Sequence, residues 1–166
     1  MSALLALPVF GLALMAQTAI LSRLTLLSGC ADLLLLLVAA WAIQERVRTA
    51  WQWAIVAGLF AGYVSALPWF TPLAAYLLTA ALGRFLTRRL WQAPLLTMFV
   101  VTLAGTFLSQ ALALLTLQVA GRALLWGEAF NRILLPSALL NLMLAIPVYI
   151  FTRDLASLLY PEKVET

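Results

Sequence analysis

The sequence predicts an all-α integral membrane protein with six transmembrane helices in a compact bundle. Hydrophobic residues make up 65% of the 166 positions and charged residues only 10%, and the mean hydropathy is +1.06. These values lie outside the usual range of soluble domains. Residues 1–166 are therefore predicted to form a single polytopic membrane domain. Its six predicted spans are residues 3–21, 31–44, 51–67, 69–85, 94–119 and 133–152.

The first two spans differ in how clearly the sequence marks them. Residues 3–21 lack the basic start and the small-residue cleavage site of a signal peptide, so they are interpreted as a helix. Asp32 opens the second span. Its apolar stretch, residues 33–43, is short for a membrane crossing, so this helix has to borrow flanking residues or thin the bilayer locally.

The longest uncharged stretch, from Trp51 to Gly83, is predicted to form a helical hairpin that supplies spans three and four. A single helix of this length would rise about 50 Å, whereas the hydrocarbon core of a bilayer is about 30 Å thick. Pro68 and Pro72 remove two backbone donors, so the turn is placed at residues 67–72.

Small residues recur at four-residue spacing along both helices of this hairpin. Gly58 and Gly62 mark the first helix, and Gly83 marks the second. Such faces let helix backbones approach closely in lipid, where there is no hydrophobic driving force between helices. The hairpin is therefore predicted to be the packing centre of the bundle.

The last two spans carry several polar side chains. Span five has several threonines together with Gln110, and span six contains Pro136, Asn141 and Pro147. The prolines are expected to kink span six and to free backbone carbonyls for other partners. Gln17, Gln110 and Asn141 are interpreted as interhelical hydrogen-bonding groups, with the lining of a ligand pocket as the alternative.

Charged residues near the span ends each have two readings. Asp32 is predicted to be the N-cap of span two, and the alternative is an ion pair with Arg23 or with a cation of a partner. Arg84, Arg88 and Arg89 form a basic cluster at a helix end. The cluster is interpreted as a topology signal that also contacts anionic lipid, with the docking of a cytoplasmic partner as the alternative.

Topology follows from the distribution of basic residues among the loops. Six spans place both termini on one side of the membrane. Seven basic residues lie on that side: Arg46, Arg48, Arg84, Arg88, Arg89, Arg153 and Lys163. Three lie on the other: Arg23, Arg122 and Arg132. The positive-inside rule therefore predicts that both termini are cytoplasmic.

The residue inventory argues against an enzyme. The chain has no histidine and a single cysteine, Cys30, so it lacks imidazole bases, an internal disulfide and the usual zinc ligands. No carboxylates are placed for acid–base work, and no nucleophile lies beside a base. No catalytic residue, metal site or cofactor is predicted. The net charge of +4 comes from scattered arginines at span ends, which does not indicate nucleic-acid binding.

Several segments carry a resemblance to a known family: Ala31–Val38 (ADLLLLLV), Gly58–Gly62 (GLFAG), Pro72–Tyr76 (PLAAY) continuing to Gly83, Pro136–Asn141 (PSALLN) and Ile146–Tyr149 (IPVY). In these segments, in length and in span count, the chain resembles the bacterial rod shape-determining protein MreD family. Ala31 stands where that family usually has proline, and Ser65 stands where it often has aspartate.

The resemblance implies a non-enzymatic subunit of the cell-elongation machinery in the bacterial cytoplasmic (inner) membrane. Its expected partners are MreC, the elongation glycosyltransferase and class B penicillin-binding protein, MreB through MreC, and membrane lipid. On this basis Gly58, Gly62, Gly83, Asp32, Pro136, Asn141 and Pro147 are the candidate helix-packing or partner-binding residues. The family is similar in fold to the S-components of energy-coupling-factor transporters, which supplies the alternative of a small-molecule-binding transporter subunit.

Overall fold

The computed structural model describes residues 6–19, 28–45, 47, 49–89, 93–122 and 126–160. Within these residues every regular element is helical, which confirms the predicted all-α class. The helices are α1 (Ala6–Ala19), α2 (Leu33–Ala42), α3 (Ala50–Val64), α4 (Phe70–Thr87), α5 (Pro94–Val119), α6 (Trp126–Ala129) and α7 (Leu135–Leu159). A π-helical segment, Phe130–Leu134, joins α6 to α7.

Three helices are long and apolar enough to cross a membrane: Phe70–Thr87, Pro94–Val119 and the continuous helix Gly127–Leu159. They correspond to predicted spans four, five and six. Helices α1, α2 and α3 are apolar but have only 14, 10 and 15 residues. The six-span arrangement therefore remains a prediction. Of the positions used to predict it, residues 3–5 and 20–21, Arg23, Arg46, Arg48 and Lys163 lie outside the described residues.

The predicted hairpin turn overlaps the observed one. Helix α3 ends at Val64 and α4 begins at Phe70, so the turn occupies residues 65–69 rather than 67–72. The Ser65 hydroxyl accepts a hydrogen bond from the Leu67 N–H at 3.1 Å, which closes the turn locally.

Helix α5 has the predicted bounds, residues 94–119. Its last turn closes on Gly121, whose φ is +81°. The Gly121 N–H donates to the Gln118 carbonyl and the Arg122 N–H to the Leu117 carbonyl, each at 3.0 Å. This is the Schellman pattern, which places glycine in the left-handed region.

The last helix extends beyond the predicted span at both ends. The sequence predicts a connection over residues 120–132 and a tail from Arg153, but the helix runs continuously from Gly127 to Leu159. Arg153 and Asp154 lie within it, with their side chains 59% and 65% exposed. Hydropathy indicates where a helix is apolar and not where it ends. A polar continuation of the same helix is therefore not detected by hydropathy.

The packing centre is α2, not the α3–α4 hairpin. Nine of the ten residues of α2 are buried, and the helix packs against α1, α3, α4, α5 and α7. A helix that is apolar on every side can be buried on every side. A helix that packs through one small-residue face is buried on that face only. At about 15 Å long, α2 lies enclosed by its neighbours.

Aromatic rings join the first three helices around α2. The rings of Trp41 on α2 and Trp53 on α3 stack with centroids 3.9 Å apart and planes at 17°. Phe10 of α1 meets the Trp53 ring edge-on at 5.5 Å. All three side chains are fully buried, so they fix how α1 and α3 pack around α2.

The predicted close approaches at the small residues are present. A Cβ at Gly58 would lie 2.7 Å from the Cα of Leu73, and one at Gly62 would lie 3.0 Å from the Cα of Trp69. Gly58 therefore lets α3 pack directly on α4, and Gly62 lets α3 approach the turn residue that precedes α4. Gly83 of α4 faces α2 instead, and a Cβ there would lie 2.9 Å from the Cβ of Ala42.

We expect Gly58→Ala to destabilise the fold, whereas Gly11→Ala should not. The added Cβ at Gly58 meets backbone, and overpacking of this kind typically costs about 1–3 kcal/mol. At Gly11 of α1, a Cβ would have nothing within 4 Å, and the better helix propensity of alanine adds about 0.5–1 kcal/mol of stability. Unfolding by SDS in detergent micelles measures both variants. Equal unfolding midpoints would contradict the contact described between α3 and α4.

Candidate functional site

An extended segment, residues 28–32, leads into α2 and runs along the start of α7. Alternate N–H groups of this segment donate to successive acceptors of α7 and the π-helical segment: Ser28 to the Arg132 carbonyl at 3.1 Å, Cys30 to Ser137 Oγ at 3.2 Å, and Asp32 to Asn141 Oδ1 at 2.8 Å. Two extended residues advance about 6.6 Å, which is close to the rise of four or five helical residues, about 6.0–7.5 Å. The two elements therefore remain in register.

Two residues make this docking possible. Pro136 has no N–H to offer the Arg132 carbonyl four positions earlier, so that carbonyl is free to accept from Ser28. The predicted role of Pro136 in freeing a carbonyl is thus confirmed. A Cβ at Gly29 would lie 2.6 Å from the Ser137 nitrogen and 2.8 Å from the Pro136 Cβ, so only glycine fits there.

Asp32 caps α2, as predicted. Its Oδ1 accepts a hydrogen bond from the Leu35 N–H at 3.0 Å. The Tyr76 hydroxyl of α4 lies 2.9 Å from Oδ1 and 2.8 Å from Oδ2, and donates to the carboxyl group. Asp32 is half-buried, whereas Tyr76 is 3% exposed. The alternative pairing with Arg23 falls outside the described residues.

Asn141 joins three helices from its position on α7. Its Oδ1 accepts from the Asp32 N–H, and its Nδ2 donates to Thr106 Oγ1 of α5 at 2.9 Å. The Thr106 hydroxyl in turn donates a hydrogen bond to the Thr102 carbonyl at 2.7 Å. Asn141 is 1% exposed, so its amide acts as an interhelical hydrogen-bonding group, as predicted.

Helix α1 contacts the start of α2 through Gln17, whose Oε1 accepts a hydrogen bond from the Leu33 N–H at 3.0 Å. We call the side chains that converge on the start of α2 the Asp32 network: Gln17, Asp32, Tyr76, Thr106, Ser137 and Asn141. They come from α1, α4, α5, α7 and the segment before α2. The sequence predicts hydrogen-bonding roles for Asp32, Asn141 and Gln17. It predicts no such role for Tyr76, Thr106 or Ser137. A phenol within an apolar helix was the available signal, because a buried hydroxyl needs a partner.

The three arginines of the basic cluster make different contacts, near the other end of α2. Arg84 Nη1 donates to the Val47 carbonyl at 2.8 Å and to the Gln44 carbonyl at 3.3 Å, just past the C-terminus of α2. Arg84 thus satisfies carbonyls that follow α2, a role the sequence did not suggest. Arg88 is exposed, and Arg89 lies over the Phe85 ring at 5.4 Å.

The remaining predicted residues lie away from the Asp32 network. Gly58, Gly62 and Gly83 make helix contacts elsewhere, and Pro147 is exposed on α7. Within the described part of the chain, no three His, Cys, Asp or Glu side chains come together as metal ligands would. The Asp32 network is therefore a hydrogen-bonded junction between helices, in which side chains bind one another and the backbone around the start of α2.

Fold and composition together define an all-helical protein with helices suited to a membrane. No family model, curated protein or solved structure matches the chain.

The Asp32–Tyr76 contact can be tested by a double-mutant cycle. Hydrogen bonds to charged groups contribute about 1.5–3 kcal/mol and neutral ones about 1 kcal/mol. Tyr76→Phe should therefore lower the free energy of unfolding more in the wild-type background than in Asp32→Asn. Asp32→Asn itself should be mild, because the amide oxygen still caps Leu35.

SDS unfolding in micelles gives the four free energies of the cycle. Tyr63→Phe, at a side chain that is 93% exposed near the end of α3, serves as the control for loss of a phenolic hydroxyl. A coupling energy of zero would contradict the contact. A larger loss from Asp32→Asn than from Asp32→Ala would contradict the capping role.

Proposed function

We propose that this chain is a non-enzymatic scaffold subunit of the bacterial cell-elongation (rod) complex, which binds MreC and cell-wall synthases in the plane of the membrane. One observation supports the proposal above the others. Asp32, Tyr76 and Asn141 belong to three separate segments on which the resemblance to the MreD family rests, and they meet in one network through bonds of 2.8–2.9 Å.

This convergence is specific in a way that hydropathy is not. Any two apolar helices of similar length look alike in composition, so a likeness between apolar segments carries little weight by itself. Asp32 and Asn141, however, are 109 positions apart, and Asp32 and Tyr76 are 44 apart. Polar side chains at such separations form a network only when all the segments have the right identity and register. That supports a shared structural role for the resembling segments.

The distribution of polar groups also supports the proposed scaffold function. The Asp32 network satisfies its members internally, so it stabilises one arrangement of helices and offers little for chemistry. Large apolar side chains remain exposed on several helices, including Met15, Leu78 and Met143 at 68%, 48% and 73% exposed. Such surfaces face lipid or partner helices when a bundle lies in a membrane.

Association with MreC is the direct test. The tagged chain, purified in mild detergent from a rod-shaped bacterium that lacks its own MreD, should recover MreC together with cell-wall synthases. Asn141→Leu leaves the Asp32 N–H without its acceptor, so we expect weaker recovery of MreC at equal membrane levels. Asn131→Leu is the matched control, because Asn131 is exposed in the π-helical segment.

Two results would contradict the scaffold proposal. Recovery of paired ATPases and a shared transmembrane subunit would favour the transporter S-component instead. Recovery of neither set would remove support from both.

We further propose six spans in the bacterial inner membrane with both termini cytoplasmic, which places Cys30 at the outer face. Cys30 is exposed and is the only cysteine of the chain. A membrane-impermeant maleimide added to spheroplasts should therefore label the wild-type chain from outside. Partial burial and then the nearby Asp32 carboxylate raise the pKa of the Cys30 thiol, so labelling should be slow at neutral pH and faster as pH rises.

The controls for topology use the same chemistry. In a Cys30→Ser background, Glu165→Cys should be protected until the membrane is permeabilised. Asp32→Asn should speed the labelling of Cys30, because removing the negative charge lowers the thiol pKa. Protection of Cys30 in intact spheroplasts, with labelling after permeabilisation, would overturn this topology.

A further inference from the structure

A polar cleft lies at the opposite end of α2 from the Asp32 network. It has a volume of about 400 Å³, and Gln44, Glu45, Thr87, Tyr149 and Arg153 are among its lining residues. A smaller hollow of about 250 Å³ shares Glu45 and Thr87 with it and adds Arg84 and Arg88. We call these seven residues and the space between them the polar cleft. None of them belongs to the Asp32 network.

One residue of the polar cleft carries a donor that lacks an acceptor. The Gln44 Nε2 is buried, and within the described residues it has no hydrogen-bond partner. A buried amide N–H without an acceptor is unfavourable, so such groups are normally satisfied. Because other atoms of Gln44 line the cleft, rotation of its amide would bring this donor to the acceptor oxygens of a ligand there.

The polar cleft carries charges of both signs. Arg153 and Arg88 supply guanidinium donors, and Glu45 supplies a carboxylate acceptor. The Asp154 carboxylate also lines the cleft but is paired with Arg153. One nitrogen of Arg153 lies 3.5 Å from Asp154 in an exposed pair, which leaves its other N–H donors available. Guanidinium groups fit phosphate, and a carboxylate fits an ammonium group. A ligand that combines the two matches this lining better than a simple anion.

The position of the polar cleft indicates where such a ligand comes from. Thr87 is the last residue of α4, and residues 94 and 97 in the first turn of α5 also line the cleft. Tyr149 and Arg153 lie toward the end of α7. All three helices are long enough to span a membrane, so the cleft lies where these helices would leave the hydrocarbon core and meet lipid headgroups.

We propose that the polar cleft binds the headgroup of a zwitterionic phospholipid with a primary amine. The phosphate accepts from the Gln44 amide and from the guanidinium groups of Arg153 and Arg88. The ammonium group donates to Glu45. The acyl chains remain in the bilayer beside α5 and α7. The site is independent of the proposed assembly with MreC.

Native mass spectrometry of the full chain, released from detergent micelles with added phosphatidylethanolamine or phosphatidylcholine, tests this. We expect the wild type to retain phosphatidylethanolamine preferentially, because a trimethylammonium group has no N–H for Glu45. Gln44→Leu and Arg153→Gln should each weaken this binding by at least about tenfold, which corresponds to the loss of one hydrogen bond to a charged group. Glu45→Gln should abolish the preference between the two lipids.

Arg122→Gln is the matched control, because Arg122 is exposed after the far end of α5, and its binding should equal that of the wild type. Without lipid, Gln44→Leu should unfold at the wild-type temperature or above it, which separates lost binding from lost folding. Equal retention by wild type, Gln44→Leu and Arg153→Gln overturns the proposal. Tighter binding of phosphatidylglycerol also overturns it, because the ligand would then be an anionic lipid. Equally tight binding of soluble glycerophosphoethanolamine overturns it as well, because the ligand would then be a soluble ester.

Discussion

The structure depends on satisfying the two ends of one short buried helix. Helix α2 has ten residues and lies inside an apolar bundle, so its terminal N–H and C=O groups cannot rely on water. Polar side chains from neighbouring helices supply the partners. Asp32, Gln17 and Asn141 accept from N–H groups at its start. Arg84 donates to carbonyls just beyond its end.

Several unusual local features follow from this requirement. The segment before α2 has to approach the backbone of α7, which explains a glycine at position 29 and a proline at position 136. The π-helical segment, Phe130–Leu134, lies immediately before this contact and includes Arg132, whose carbonyl accepts from Ser28. π-Helical turns often occur at functional sites. Here the turn accompanies the docking of an extended segment on a helix.

The two ends of α2 differ in what remains open to other molecules. At the start, the side chains of the Asp32 network bind one another and nearby backbone N–H groups, which suits a structural junction. Beyond the end of α2, Gln44 keeps a buried donor without a partner among the described residues, and arginine and glutamate side chains line open space. The chain can thus hold its helices rigidly at one level, and on our proposal it binds lipid at the other.

The sequence by itself determined the helical class, the hairpin turn, the bounds of α5 and the cap at Asp32. These features depend on local properties: apolar length, proline position and the chemistry of a side chain next to its own helix. Only the tertiary structure decided that α2 is the centre and that Tyr76, Thr106 and Ser137 meet beside Asp32. It also decided that Arg84 serves α2 and that the last helix continues past Arg153. These facts depend on which helix faces lie together. When nearly all residues of a helix are apolar, its sequence does not indicate which helix packs against which face.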